Sequence, residues 1–185
     1  MSTADRSVAG EKPLEGVGLA VFNTWPAAQA REGLLACCRA RHWAEQVAAG
    51  RPYPSLGALT AAAAETLTSE DVAEALAGHP RIGSIASTGA PAAGHSSWSR
   101  SEQSGVAGAA DQVRAELAAG NQAYEDRFGH IYLVCAAGRS AAELLAILRG
   151  RLDNDPDTER QVVRAELVKI NDLRLAKLIG SESEA

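Results

Sequence analysis

The chain has 185 residues, 46% of them hydrophobic, with 18 Lys and Arg against 23 Asp and Glu, for a formal net charge of -5 and a pI near 5.4. That is enough chain for one core and short for two, and the acidic balance, with no basic block to track a phosphate backbone, excludes nucleic acid as the expected partner. No stretch approaches the roughly 18 apolar residues that span a bilayer, and the N-terminus lacks the apolar core of a signal peptide, so a soluble cytoplasmic protein is expected.

Residues 1–18 mix Gly, Pro, Ser and charge without periodicity and read as a flexible leader, with one folded domain over 19–180 and a solvated tail over 181–185. The alanine-rich run from Thr24 to about Arg39 predicts a helix, with Thr24 as N-cap and Pro26 in its first turn. Arg51-Pro-Tyr-Pro54 forces an extended or turn conformation. Ser55 to Leu67 and Ser69 to Ala77 predict two further helices, the second opened by Thr68-x-x-Asp71, a variant of the capping box. A Gly/Ser/Ala/Pro loop is expected from Ser84 to Ser97, then a helix from Ser99 to near Gly120 and a short one over Asn121 to Arg127. Phe128 to Cys135 has the β-branched and aromatic content of a buried strand. Ser140 to Leu152 and Asp157 to Ile179 close the chain as helices, the last stopped by Gly180. Cys37, Cys38 and Cys135 match neither a disulfide framework nor a zinc spacing and are expected as buried free thiols.

Three places invite a chemical reading. Between Gly78, suited to a left-handed helix stop, and Pro80, which pushes the preceding residue to extended backbone, His79 sits on a fixed corner. It is either an incidental exposed side chain at a helix stop or a general acid or base, for which imidazole is suited near neutrality. Ser99-Arg100-Ser101-Glu102-Gln103 has capping-box spacing, and the same geometry aims first-turn N–H groups outward, where a small anion can sit. Released from capping, the Glu102 carboxylate could orient an imidazole. On a helix advancing about 100° per residue, Arg174 falls on the stripe of Val163, Leu167, Ile170 and Leu178 and should point inward. It is then either an internal ion pair or snorkelling side chain, or a clamp on a substrate carboxylate. His42, His95 and His130 lie apart, with no His-x-x-x-His or His-Glu-x-x-His pattern, and no P-loop, dinucleotide fingerprint or nucleophile elbow occurs.

In order along the chain, Phe22-Asn23, Trp43, Arg51-Pro-Tyr53, His79-Pro-Arg-Ile-Gly83, Trp98 to Gln103, Asn121-x-x-Tyr124, Arg127-Phe-Gly129 through Cys135, Gly138-Arg139, Arg151-Leu152 and Glu166 to Leu175 resemble the 2-oxo-4-hydroxy-4-carboxy-5-ureidoimidazoline (OHCU) decarboxylases of urate breakdown. The resemblance runs from about residue 20 to 178. It implies an all-α, single-domain helical bundle, a homodimer, and decarboxylation of OHCU to (S)-allantoin without metal or organic cofactor. It also replaces the strand with a segment of a helical fold. By matching, His79, Glu102 and Arg174 take the catalytic and substrate-holding positions. The ligand-binding segments match Pro80, then Ser99, Arg100, Ser101, Glu102 and Gln103, and finally Ile131, Tyr132, Leu133, Val134 and Cys135. Tyr132 stands where phenylalanine is expected, adding a hydroxyl near the pocket. The competing expectations are a non-enzymatic helical module that binds allantoin-like ureido ligands, and a metal-dependent hydrolase built on His79, Glu102 and a distant histidine.

Overall fold

The computed structural model describes residues 16–82 and 111–180. Among them are eight helices and no strand: α1 (Leu19–Thr24), α2 (Ala27–Cys37), α3 (Arg41–Ala49), α4 (Leu56–Thr66), α5 (Ser69–Ala77), α6 (Asp111–Phe128), α7 (Ala141–Arg151) and α8 (Pro156–Ile179). The fold is all-α, as expected. The helix expected from Thr24 to Arg39 is the single helix α2, which starts later because Pro26 precedes it at φ −52° and ψ 145°; α1, before it, was not expected. Thr24 ends α1 instead of capping α2, and its hydroxyl donates to the Val21 carbonyl at 2.8 Å. The helix α3, not expected from the sequence, buries the stripe Trp43, Ala44, Val47 and Ala48.

Several of the motif residues named above serve as staples. Asn23 and Tyr53 exchange hydrogen bonds, Asn23 Nδ2 to the Tyr53 carbonyl at 2.8 Å and the Tyr53 N–H to Asn23 Oδ1 at 2.9 Å. Arg51 donates to the carbonyls of Phe22, Trp25 and Ala48, each at 2.8 Å, and so ties the Arg51–Pro54 turn to the end of α1. Trp43, wholly buried, donates its indole N–H to the Ala63 carbonyl on α4 at 2.8 Å.

The buried side chains form two clusters. The larger gathers α1 to α5 around the face of α8, and the smaller packs α6 against α7 with Ile82. Gly120 does not end a helix: α6 runs through it to Phe128, and a Cβ there would lie 2.6 Å from Leu148 Cδ2. It is the glycine of a close helix crossing, and the stop belongs to Gly129 at φ 75°.

Between the clusters runs the segment expected as a strand. Leu133 and Cys135 enter the larger cluster, with Ile131 packed on it, while Tyr132, Val134 and Ala136 enter the smaller. That alternation has the period of extended backbone, which is why the residues look β-like, yet no described residue pairs with it as a strand. Side chains supply the missing partners. Arg151 Nη1 donates to the Leu133 carbonyl at 2.6 Å, and the Cys135 N–H donates to Glu166 Oε2 at 2.8 Å.

Candidate functional site

α5 delivers the first site residue. Its N-terminus carries the expected capping box, with the Thr68 hydroxyl accepting from the Asp71 N–H at 3.1 Å and the Asp71 carboxylate accepting from the Thr68 N–H at 3.0 Å. At the other end Gly78 is right-handed, φ −98°, and not the left-handed stop that the sequence suggested. Its lack of a side chain makes room for Arg39, whose Cδ would lie 2.8 Å from a Cβ. The His79 N–H then donates to the Leu76 carbonyl at 3.1 Å, and its ring Nδ1 lies 2.8 Å from the Ala75 carbonyl. A carbonyl can only accept, so Nδ1 carries the proton and Nε2 is the nitrogen presented outward.

Nε2 faces Arg174. The guanidinium is wholly buried, as its place on the α8 stripe required, and Nη1 lies 3.0 Å from the Cys37 carbonyl and 3.4 Å from His79 Nε2. The ends of α2 and α5 and the inner face of α8 therefore converge on one point. A cation is held there against an imidazole whose tautomer is fixed from behind. Such a pair can bind an anionic group and exchange a proton beside it. Cys38, next after α2, is a buried thiol whose pKa burial pushes up to about 12, and Cys37 and Cys135 are also buried and in no disulfide, as expected.

Pro80 follows His79 half-buried. Ser99, Arg100, Ser101, Glu102 and Gln103 lie outside the described residues, as does the whole Ser84–Ser97 loop. Ile131 to Cys135 is described, and two of its backbone groups, the Leu133 carbonyl and the Cys135 N–H, are already engaged by Arg151 and Glu166. Burial alone would raise the Glu166 carboxyl, but the Lys169 ammonium and the Cys135 N–H hold it below the usual carboxylate range. The Tyr132 hydroxyl donates to the Leu144 carbonyl at 3.1 Å and is spent on packing α7, so the departure from phenylalanine adds no free hydroxyl.

Behind the segment lies a buried network that sequence reasoning missed. Glu159, wholly buried, accepts from Arg151 Nε at 2.8 Å, from Asn154 Nδ2 at 2.7 Å and, through a short bond, from the Tyr124 hydroxyl. Replacing such a network with apolar residues can be neutral for stability, so its clearer consequence is orientation: it aims Arg151 at Leu133. The signal that could have found it is the one that found Arg174. Glu159, Glu166 and Asn171 fall on the same inward stripe of α8 and are buried with it.

The OHCU decarboxylase family model matches residues 23–176. The bifunctional uric acid degradation protein TTL of Arabidopsis thaliana is 34% identical over 155 residues, 80% of this chain and 47% of that protein. The 2-oxo-4-hydroxy-4-carboxy-5-ureidoimidazoline decarboxylase of Amia calva is 41% identical over 59 residues, 32% of this chain and 34% of that protein. The chain thus spans about half or less of the length of these relatives. A crystal structure of OHCU decarboxylase in the presence of (S)-allantoin superposes with a TM-score of 0.69 at 31% identity, covering 82% of this chain and 99% of that one. A crystal structure of (S)-allantoin synthase, at 19% identity and a TM-score of 0.63 over 86% of this chain and 53% of that one, shares the fold.

Proposed function

The chain belongs to the OHCU decarboxylase family, and from that premise we propose that it decarboxylates OHCU to (S)-allantoin in urate breakdown. The observation that carries the reading is the buried Arg174 guanidinium 3.4 Å from the Nε2 of a histidine whose other nitrogen is tied to a backbone carbonyl. Decarboxylation breaks the bond from ring C4 to its carboxylate and leaves an electron pair. In this substrate the neighbouring ring C=N bond takes that pair into conjugation and the ring nitrogen takes a proton, giving an enol across C4 and C5. The enol then gains a proton at C5 and loses one from the 4-hydroxyl, so one CO2 leaves and one proton is consumed in all. The substrate's own ring can thus hold the electrons for which many decarboxylases recruit a cofactor.

Three tasks remain for the protein. Arg174 holds an anionic group of the substrate, which keeps the carboxylate turned for departure. His79 Nε2 takes the 4-hydroxyl proton and returns a proton to one face of C5, fixing the configuration. Glu102 orients the imidazole, while Pro80, Ser99, Arg100, Ser101, Gln103 and the segment Ile131 to Cys135 surround the ring and ureido group. This assignment rests on the resemblance of those segments to the family's, which also implies a homodimer. Among the described residues no helix is long and apolar enough to cross a membrane, which accords with the cytoplasmic location we propose.

The test generates OHCU from urate with the two preceding enzymes and follows its decay together with the circular dichroism of the product. Acceleration with an optically active product is expected, and an unchanged, slow, racemic decay would refute the assignment. His79→Asn, with its fold checked by far-ultraviolet dichroism, should lose about 10²- to 10⁴-fold in turnover, the usual worth of a positioned acid–base group. Near-normal turnover would remove His79 from proton transfer.

A further inference from the structure

Asn171 precedes Arg174 by one turn of α8, and residues three apart on a helix share a face, with Cβ atoms about 5–6 Å apart. The two side chains meet consecutive residues at the end of α2. Arg174 donates to the Cys37 carbonyl, and the Asn171 carboxamide hydrogen-bonds the Cys38 thiol. Asn171 is 3% exposed, yet its Oδ1 has no hydrogen-bond partner. Buried polar atoms are almost always paired, so an orphaned acceptor beside a site is best explained by a donor that arrives with the ligand. Apolar residues of similar size would fill the same space without leaving an acceptor unmet.

We infer that Asn171 is a binding and specificity residue of the Arg174–His79 site, its Oδ1 accepting a hydrogen bond from an N–H of a ureide ligand. This deepens the proposed decarboxylation and rests on it. On one helix face the chain would then offer a cation for the anionic group of such a ligand and a neutral acceptor for its amide edge. A ligand lacking the N–H would leave the acceptor buried and unmet, and sites of that kind discriminate strongly against analogues missing the donor.

The test compares Asn171→Leu and Asn171→Ala with the unaltered chain for OHCU turnover and for the shift of thermal midpoint caused by (S)-allantoin. If Oδ1 receives the ligand equally in ground and transition states, KM rises about three- to tenfold with kcat nearly unchanged. The allantoin shift then shrinks at a fixed ligand concentration, while Asn171→Leu without ligand melts no lower than the parent. Hydantoin, which lacks the ureido arm, serves as second probe: a shift reduced only for allantoin assigns the contact to the ureido N–H, and one reduced for both assigns it to the ring. If either folded variant keeps the parent KM and allantoin shift, the inference is overturned. A parent chain that neither turns over OHCU nor responds to allantoin would instead bring down the decarboxylase reading itself.

Discussion

His79 and Arg174 differ in how their roles can be read from sequence. The inward aim of Arg174 follows from helical periodicity alone, because the stripe that includes Val163, Leu167, Ile170 and Leu178 leaves it nowhere else to point. The state of His79 does not, since it depends on the Ala75 carbonyl coming within 2.8 Å of Nδ1 at the end of α5. The pairing of the two, 95 residues apart, is a product of tertiary packing that no local pattern encodes. Arg174 also has a geometric requirement, since one guanidinium nitrogen serves both the Cys37 carbonyl and the imidazole from within a rigid planar fork. A lysine ammonium on a flexible stem does not reproduce that arrangement. Arg174→Lys should therefore lower kcat/KM by about 10- to 100-fold, the equivalent of one charge-assisted hydrogen bond of about 1.5–3 kcal/mol. Steady-state kinetics on the folded variant would check this, and a change under threefold would show that charge alone suffices.

At the level of elements, capping chemistry was legible and glycine was only half so. Thr68 and Asp71 form the box their spacing predicts, and the bounds of α4, α5, α7 and α8 fall within a residue or two of expectation. Gly78, Gly120 and Gly129 look alike in sequence, but one makes room for Arg39, one for Leu148, and one turns left-handed to end α6. Which role a glycine plays depends on its neighbours in space. The segment Ile131 to Cys135 shows the same limit, because alternation reveals extended backbone but not whether a strand or a side chain satisfies it.

Asp71 does more than cap. Its carboxylate also accepts from the Trp43 N–H at 3.0 Å and faces His42 Nδ1 at 3.1 Å, joining α5 to α3. Burial raises its pKa, but the Thr68, His42 and Trp43 donors outweigh burial and leave it lowered. A carboxyl whose folded pKa lies below its unfolded value stabilises the fold above the unfolded value, about 3.9, and loses that contribution as pH falls through the folded one. Asp71→Ala removes a cap worth about 0.5–2 kcal/mol and leaves the Trp43 N–H buried and unmet. We expect a loss of about 2–4 kcal/mol at pH 7 by urea denaturation, with the gap to the parent narrowing as pH falls below about 4. A constant gap down to pH 2 would mean that the carboxylate charge plays no part.

Across the whole molecule, α8 joins everything described. It presents Glu159 to the Tyr124–Arg151 network, Glu166 to the Ile131–Cys135 segment and Arg174 to His79, so its position along its axis sets all three at once. What fixes its end is the beginning of the described chain. The N–H groups of Gly16, Val17 and Gly18, the last residues of the expected leader, donate to the carbonyls of Lys177, Leu178 and Ile179 at 2.9, 3.0 and 2.6 Å. Carbonyls in the last turn of a helix have no partner within it, and here the other end of the chain supplies one. Gly180 permits the closure twice over: its φ is 84°, and a Cβ would lie 2.9 Å from Gly16 Cα. Gly180→Ala should therefore cost about 1–2 kcal/mol for the left-handed backbone alone, and more for the collision with backbone that cannot swing aside. For a chain of this size about 2 kcal/mol corresponds to a thermal midpoint lower by about 4–8 °C. Turnover of the folded variant at 15 °C should stay near the parent's, because Arg174 lies six residues back along α8, beyond the last turn. A drop in midpoint with activity intact would establish the closure as a support for α8, whereas an unchanged midpoint would mean that Gly16 to Gly18 can leave the helix end at no cost.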